Sequence, residues 1–202
     1  MTVKLYLEGG GESKSDHINC RKGFRQLLER AGFVGRMPAL KACGSRNDAY
    51  SDFKTALHTA GAGEYPVLLV DSEALVNQSA WRHLQSRDGW ERPAGVDDEQ
   101  AQLMVQCMES WCVADRNTLR QFFGVALREG ALPVLNNLEA QTKESVQEAL
   151  LNATRACGCD RGYKKGKRSF ELLGKLDPAE LKRHLPHFVR LCEMLNAKLG
   201  TF

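Results

Sequence analysis

The chain has 202 residues, of which 43% are hydrophobic and 26% charged, with a formal net charge of +3. This composition is typical of one folded domain, alone or with a C-terminal extension, and it excludes long disordered stretches. The longest apolar run, residues 67–70, is far shorter than the ~20 residues that a membrane span needs. A net charge of this size does not by itself indicate nucleic-acid binding.

The ends and the cysteines of the chain bear on its compartment. The N-terminal residues reach a glycine run without the apolar region of a secretory signal. Seven cysteines in a chain without such a signal are expected to be reduced thiols. We therefore expect a cytoplasmic protein that does not associate with a membrane.

Strand and helix patterns alternate in the first third of the chain. Predicted strands cover residues 3–7, 37–43 and 65–70, and predicted helices cover residues 16–31 and 48–58. Gly32 is the expected stop of the first helix, and Asp48 is the expected cap of the second. The last strand is almost wholly apolar, as in a parallel sheet that is covered on both faces. The order predicts an α/β fold with a mainly parallel sheet flanked by helices.

The pattern is weaker beyond residue 75. We predict a short helix within residues 79–93, a strand at 102–106, and helices at 108–123, 143–156 and 178–199. This organisation predicts a metal-binding domain over residues 1–125. Residues 126–202 would then be a helical, basic C-terminal extension packed on that domain.

Acidic residues follow two of the predicted strands. Glu8 comes directly after the first strand, before three glycines, and Glu12 lies four residues further on. Asp71 and Glu73 follow the third strand, and on an extended chain residues i and i+2 project to the same side. Ligands of open α/β sheets bind at the carboxyl ends of the strands. If the two strands are neighbours, we expect all four carboxylates to converge.

Such a cluster has a specific chemistry. Neighbouring carboxylates repel each other unless a proton or a cation lies between them, and hard oxygen ligands suit Mg²⁺ or Mn²⁺. Four carboxylates could hold two metal ions ~3.5–4 Å apart, which activates a water and stabilises the leaving oxygen in phosphodiester cleavage. The alternative is that these are solvated acids at strand ends and that the glycines only make a tight turn.

Two further residues are candidates for the same edge of the sheet. Glu109 lies in the otherwise apolar residues 103–113, so it is either a further metal ligand or an exposed helix position. Arg46 follows the second predicted strand, where it could contact a phosphate. The alternative for Arg46 is an ordinary place at the start of a helix.

A basic segment follows at residues 155–168. Its charged residues are Arg155, Arg161, Lys164, Lys165, Lys167 and Arg168, with Asp160 as the one acid. Basic residues with interleaved aromatic ones suit contact with a nucleic-acid backbone, with Tyr163 and Phe170 stacking on bases. We predict nucleic-acid binding by Arg161, Lys165, Lys167 and Arg168, and stabilisation of the transition state by Lys164 or Lys165. The alternative is a solvated run of charges.

These stretches resemble known families. A glutamate after the first strand and the Asp71-Ser72-Glu73 sequence are similar to the TOPRIM pattern, and the four-residue spacing of Glu8 and Glu12 resembles the overcoming-lysogenization-defect nucleases. Over nearly its whole length the chain resembles domain-of-unknown-function family 4276. The stretches that carry this resemblance are residues 7–12, 42–50, 70–73, 87–93, 104–111 and 164–171.

The resemblance implies a TOPRIM-like fold, and together with the acidic residues it favours an Mg²⁺- or Mn²⁺-dependent nuclease. It also implies an ABC-type ATPase partner and a role in bacterial defence against phage. Glu8, Asp71, Glu73 and Lys164 would be catalytic, and Glu8, Glu12, Asp71, Glu73 and Glu109 would be metal ligands. Glu73 stands where the wider pattern has an aspartate, and its extra methylene moves the carboxylate by ~1.5 Å. The alternatives are a non-catalytic nucleic-acid or partner-binding module and a nucleotidyl-transfer enzyme.

Overall fold

A computed structural model describes residues 1–200 and places a four-stranded parallel sheet at the centre of the protein. The strands are β1 (Thr2–Leu7), β2 (Ala39–Ala42), β3 (Glu64–Asp71) and β4 (Ala101–Met104). Their order in the sheet is β2-β1-β3-β4, and all three pairings are parallel. The predicted mainly parallel sheet is confirmed.

Helices cover the sheet and form the C-terminal region, which confirms the rest of the predicted α/β fold. Within residues 1–200 they are α1 (Lys14–Leu28), α2 (Arg46–Thr59), α3 (Ala80–Asp88), α4 (Met108–Ala114), α5 (Arg116–Phe123), α6 (Lys143–Thr154), α7 (Lys167–Leu173), α8 (Pro178–His184) and α9 (Pro186–Leu199). None of the helices in this described part is long and apolar enough to cross a bilayer.

The register of β1 and β3 brings their carboxyl ends together. Leu7 pairs with Leu69, so Glu8 and Asp71 emerge at the same edge of the sheet. Residues 67–70 of β3 are fully buried because β1 and β4 flank the strand and helices cover both faces. The buried apolar strand therefore fixes the position of the acidic residues that follow it.

The C-terminal helices share the main core with the sheet. Trp111 of α4 lies between Phe24 of α1 and Phe188 of α9, with ring centroids 6.2 and 5.0 Å away. Leu5 of β1 and Leu150 of α6 belong to the same buried cluster. The division at residue 125 stays a prediction, but residues 126–200 contribute to the core that holds the sheet.

Two predicted helices are each divided in the structure. Residues 108–123 form α4 and α5, because Asp115 ends the first helix and its carboxylate caps the second by accepting from the Thr118 amide at 2.9 Å. Residues 178–199 form α8 and α9, because Pro186 has no amide hydrogen and starts a new helix.

The cap of α2 also differs from the prediction. Ser45 is the N-cap residue and Asp48 is the third helical residue, and their side chains bond reciprocally to each other's backbone amides as a capping box. Because Asp48 still satisfies an amide at the start of the helix, the sequence pattern located the helix start to within a turn.

Gly23 lets α1 and α7 pack closely. A Cβ atom at Gly23 would lie 2.5 Å from the Phe170 carbonyl oxygen and 3.1 Å from its Cβ. We expect Gly23→Ala to lower the free energy of unfolding by about 1–3 kcal/mol, because the clash is with backbone that cannot move alone. Thermal denaturation measures this. Gly130→Ala is the matched control, since nothing lies within 4 Å of its added Cβ, and equal melting temperatures of the two variants would contradict the prediction.

Candidate metal centre

Three acidic side chains meet at the carboxyl ends of β1 and β3. Glu8 follows β1, Asp71 ends β3, and Glu73 lies two residues further on. One carboxylate oxygen of each lies within 4.8 Å of the others. The structure thus brings together three of the four acids that the sequence placed at this edge.

Hydrogen bonds from the backbone hold two of these carboxylates. Glu8 Oε2 accepts from the Asp71 amide at 3.0 Å, and Asp71 Oδ1 accepts from the amide of Met108, the first residue of α4, at 2.9 Å. These bonds link β1, β3 and α4. The two carboxylates are therefore held in place by backbone amides of β3 and α4 before any ligand binds.

Glu73 reaches the cluster by a different route from the one predicted. Strand β3 ends at Asp71, so the alternation of side chains along a strand does not apply to Glu73. Its φ angle is +64°, in the left-handed region that residues other than glycine rarely adopt, and its amide donates to the Gln106 carbonyl at 2.9 Å. Such strained backbone often occurs at functional sites.

Three cations lie against the acidic cluster. Arg46 Nη1 is 3.4 Å from Glu8 Oε2, and Arg87 Nη2 is 3.5 Å from Glu73 Oε2. Lys143 Nζ bonds to Glu73 Oε1 and lies 3.6 Å from Asp71 Oδ2. The Lys143 ammonium is thus shared between two of the carboxylates, where a cation bound by the cluster would also lie.

Burial has a larger effect on the pKa values of Asp71 and Glu8 than the nearby cations have. Burial and the neighbouring charges of Glu8 and Glu109 raise the pKa of Asp71 well above its usual value, although Lys143 lowers it. Burial also raises the pKa of Glu8, against the opposing effect of Arg46. A divalent cation would favour the ionised forms of both groups, so its binding would be coupled to the release of protons.

Glu109 lies beside this cluster and is buried. It lines a cavity of about 360 Å³ together with Glu8 and Asp71. Its carboxylate accepts from Tyr163 Oη at 2.8 Å and from Gln147 Nε2 at 3.3 Å, and Lys165 Nζ lies 3.8 Å away. Although burial opposes ionisation, Lys165 and these hydrogen bonds lower the pKa of Glu109. The alternative of an exposed helix position is wrong.

Glu12 does not join the other acids. The three glycines before it have positive φ angles, and Gly9 pairs with Gly44 after β2 through two backbone hydrogen bonds of 2.8 and 3.0 Å. This pairing and the turn that follows leave Glu12 exposed, and it is absent from the cluster of close ligand atoms. The predicted convergence of four carboxylates is therefore wrong at Glu12.

Arg46 is held by protein groups, so the structure does not leave it free for the phosphate contact that we expected. Its guanidinium forms two hydrogen bonds to Asp88, of 2.6 and 3.2 Å, in addition to its contact with Glu8. It also bonds to the Asp71 carbonyl and stacks on the Trp90 ring, with 4.8 Å to the ring centroid. Arg46 therefore positions the backbone and the charge of the acidic cluster.

The predicted base-stacking residues are buried. Tyr163 and Phe170 are each 5% exposed, so neither can stack on a base in this conformation. Because the two aromatic rings that stand among the basic residues in the sequence lie in the core, that part of the prediction is wrong.

The basic residues of the same segment have different surroundings. Lys164 is exposed and pairs with Asp160 at 3.7 Å, whereas Lys165 faces Glu109. Arg168 donates to backbone carbonyls, one of them Arg161 O, and covers two phenylalanine rings of residues 122–123 at 4.7 and 5.5 Å. Lys164, the predicted catalytic lysine, therefore lies apart from the acidic cluster.

Lys143 is a residue of the site that the sequence pattern did not predict. This residue begins α6, where a positive charge opposes the helix dipole and is unfavourable by itself. An unfavourably placed lysine in the first turn of a helix suggests that an acidic residue elsewhere in the fold compensates its charge. The sequence near Lys143 gave no other signal of its role. Its partner Glu73 is 70 residues away in the chain, so the pattern could not name it.

The acidic cluster lies inside the region that defines the chain's family. No curated protein and no solved structure matches the chain. A family model described as "Domain of unknown function (DUF4276)" matches residues 8–196, which include Glu8, Asp71, Glu73, Glu109 and Lys143. Since this match covers nearly the whole chain, the protein belongs to the family described as a domain of unknown function, DUF4276.

Proposed function

We propose that the protein is a divalent-metal-dependent nuclease that hydrolyses phosphodiester bonds of DNA or RNA. The observation that carries this proposal is the meeting of three carboxylates within 4.8 Å at the ends of two adjacent parallel strands. An all-oxygen donor set of this kind fits Mg²⁺ or Mn²⁺. The position of the Lys143 ammonium against Glu73 and Asp71 supports it, since the cluster accepts a positive charge there.

The residues have distinct roles in this proposal. Glu8, Asp71 and Glu73 would hold the ion, and the hydrogen bonds from the Asp71 and Met108 amides orient two of their carboxylates. A bound divalent ion would supply Lewis-acid activation of a water and stabilisation of the leaving oxygen. Lys143, rather than Lys164, lies where it could stabilise negative charge that develops on a phosphate.

The finer parts of the proposal rest on the resemblance of the sequence to TOPRIM proteins and overcoming-lysogenization-defect nucleases. The parallel sheet with acids at its strand ends is consistent with a TOPRIM-like fold. On the same basis we propose a cytoplasmic effector of anti-phage defence that works with an ABC-type ATPase. Co-purification of the protein with an ABC-type ATPase from the same cells tests the partnership, and purification without any such ATPase would contradict it.

A second candidate function is a non-catalytic module that binds nucleic acid or a partner. The observation that favours it is that each of the three acids already has a cationic neighbour, Arg46, Lys143 or Arg87. Such a module would bind nucleic acid with steep salt dependence and cleave none under any divalent ion. Cleavage in Mg²⁺ or Mn²⁺ that EDTA abolishes distinguishes the nuclease from the module.

The test is incubation of the purified protein with plasmid DNA, single-stranded DNA and tRNA in Mg²⁺, Mn²⁺ or EDTA. We expect Glu8→Gln to lower metal-dependent cleavage by about 10²-fold or more, because it removes a charge from the cluster. Glu12→Gln is the matched control and should retain wild-type activity, because Glu12 is exposed and outside the cluster. Full activity of Glu8→Gln would contradict the proposed site.

A further inference from the structure

A second cavity, of about 480 Å³, lies between α1 and α7 on the surface of the protein. Its walls carry four cationic side chains and one acidic side chain, namely Lys22, Arg30, Lys167, Lys175 and Glu171. All five residues are exposed at the surface. The excess of three positive charges in this one cleft equals the formal net charge of the whole chain, +3.

Most of these cations have no acidic partner. Among residues 1–200, Lys22, Arg30 and Lys175 form no ion pair within 4.0 Å, and Lys167 meets only Glu171, at 3.9 Å. Arg30 donates through Nε to the Gly174 carbonyl at 3.2 Å, which fixes the side chain across the cleft without neutralising it. Uncompensated charges in a concave surface focus their field on whatever enters the cleft.

The basic cleft adjoins the acidic cavity. Phe170 lines both, so helix α7 is their common wall. On the chain just before this helix, Lys165 lines the acidic cavity and Lys167 lines the basic cleft, with Gly166 between them. The basic cleft and the acidic cavity therefore lie next to each other at the start of α7.

We infer that the basic cleft binds the phosphodiester backbone of a polynucleotide and leads it to the acidic cavity. Its lining offers ammonium, guanidinium and amide donors, from Asn19 and Gln26 as well as the cations, whereas its one aromatic residue, Phe170, is buried. Donors of this kind contact phosphates, so binding is independent of base sequence. Delivery of the strand to the acidic cavity rests on the proposed nuclease function. Binding of the phosphodiester backbone in the cleft does not require cleavage.

The test measures binding in EDTA, where the proposed cleavage cannot occur. Fluorescence anisotropy follows labelled single-stranded DNA, duplex DNA and single-stranded RNA of mixed sequence over a range of salt concentrations. We expect the double variant Lys22→Glu with Lys175→Glu to weaken binding by about tenfold or more. For a single strand, the slope of log affinity against log salt should fall by about 1.4, since two phosphate contacts are lost.

The matched control is the double variant Lys54→Glu with Lys182→Glu, which changes the net charge equally at exposed positions outside the cleft. It should weaken binding less than threefold. Equal losses of affinity in the two double variants would overturn the inference, because binding would then follow the overall charge. The absence of binding to all three probes would also overturn it. All four lysines are exposed, and circular dichroism verifies that both variants fold.

Cleavage assays in Mg²⁺ separate this inference from the proposed function. Binding that the cleft variant weakens supports the inference, whether or not the wild-type protein cleaves the probes. An absence of cleavage would count only against the proposed nuclease. Where cleavage occurs, the cleft variant should raise KM and leave kcat nearly unchanged, because the cleft holds the strand away from the reacting phosphate. An unchanged KM would contradict delivery to the acidic cavity.

Discussion

Replacing Asp71 by asparagine is expected to abolish metal-dependent cleavage and to raise the melting temperature of the metal-free protein. Asparagine keeps an oxygen that accepts from the Met108 amide, but it removes a buried charge that Glu8 and Glu109 repel. We expect cleavage to fall by about 10²-fold or more. The melting temperature should rise by about 2–4 °C, which corresponds to about 1 kcal/mol for a chain of this size.

The pH dependence of stability gives the same prediction an independent measurement. Because the pKa of Asp71 is raised above its ordinary value of 3.8, the folded chain retains a proton that the unfolded chain releases. The stability that this proton contributes is complete below the unfolded-state pKa and is lost as the pH rises through the folded-state pKa. In EDTA, the wild-type protein should therefore lose more stability between pH 4 and neutral pH than Asp71→Asn does.

Asp52→Asn is the control for both measurements. Asp52 forms a partly exposed ion pair with Lys41 at 2.9 Å, away from the acidic cluster. This substitution should change the free energy of unfolding by no more than about 0.5 kcal/mol and leave cleavage unchanged. A destabilised Asp71→Asn variant that still cleaves would show that Asp71 is a structural residue and would sink its assignment as a metal ligand.

Replacing Lys143 by methionine is expected to destabilise the metal-free protein and to tighten metal binding. The variant removes the cation that Glu73 and Asp71 share. In the wild type the Lys143 side chain is only 17% exposed. Loss of one partner from a partly buried ion cluster should lower the free energy of unfolding by about 1–3 kcal/mol. The vacated oxygens become available to a divalent ion, so the apparent Kd for Mn²⁺ should fall by about tenfold, or about 1.4 kcal/mol.

Titration calorimetry with Mn²⁺ and melting curves with and without the ion measure these two effects. The increase in melting temperature on adding Mn²⁺ should be larger in Lys143→Met than in the wild type. Lys41→Met is the matched control, because it removes a surface ion pair worth at most about 1 kcal/mol and should leave the response to Mn²⁺ unchanged. Weaker Mn²⁺ binding by Lys143→Met would mean that the lysine supports the site and does not compete for it.

The cleavage rate separates a second role of Lys143 from this competition. If the ammonium also stabilises charge on the phosphate, kcat should fall in Lys143→Met although the metal binds more tightly. An unchanged kcat with tighter metal binding would leave Lys143 as a counter-ion alone.

The parallel sheet could be predicted because its signals are local. The apolar run of residues 67–70 indicated a buried strand, and the sequence itself placed acids at the carboxyl ends of β1 and β3. Helix α7 was missed because it has only seven residues and begins after a glycine in a basic segment. Short helices with mixed composition leave no clear periodicity, and packing against α1 stabilises this one.

The conformation of the glycine turn between Glu8 and Glu12 was harder to predict. A glycine run showed that the chain bends after Glu8, but the positive φ angles and the Gly9–Gly44 pairing decided that Glu12 lies in solvent. Backbone conformation also decides the position of Glu73. Its side chain reaches the cluster through a left-handed backbone conformation and not through the alternation of side chains along a strand. Backbone angles of this kind depend on contacts with distant segments.

By itself the sequence determined that acidic residues stand at the carboxyl ends of two strands of a mainly parallel sheet, while the structure showed that these strands are neighbours. Only the tertiary structure decided which charges surround the acidic residues. Lys143 meets Glu73 across 70 residues of chain and Arg46 meets Asp88 across 42. Burial patterns repeat every two or four residues and are visible in the sequence, whereas ion pairs between distant residues form only where the packing of the helices brings them together.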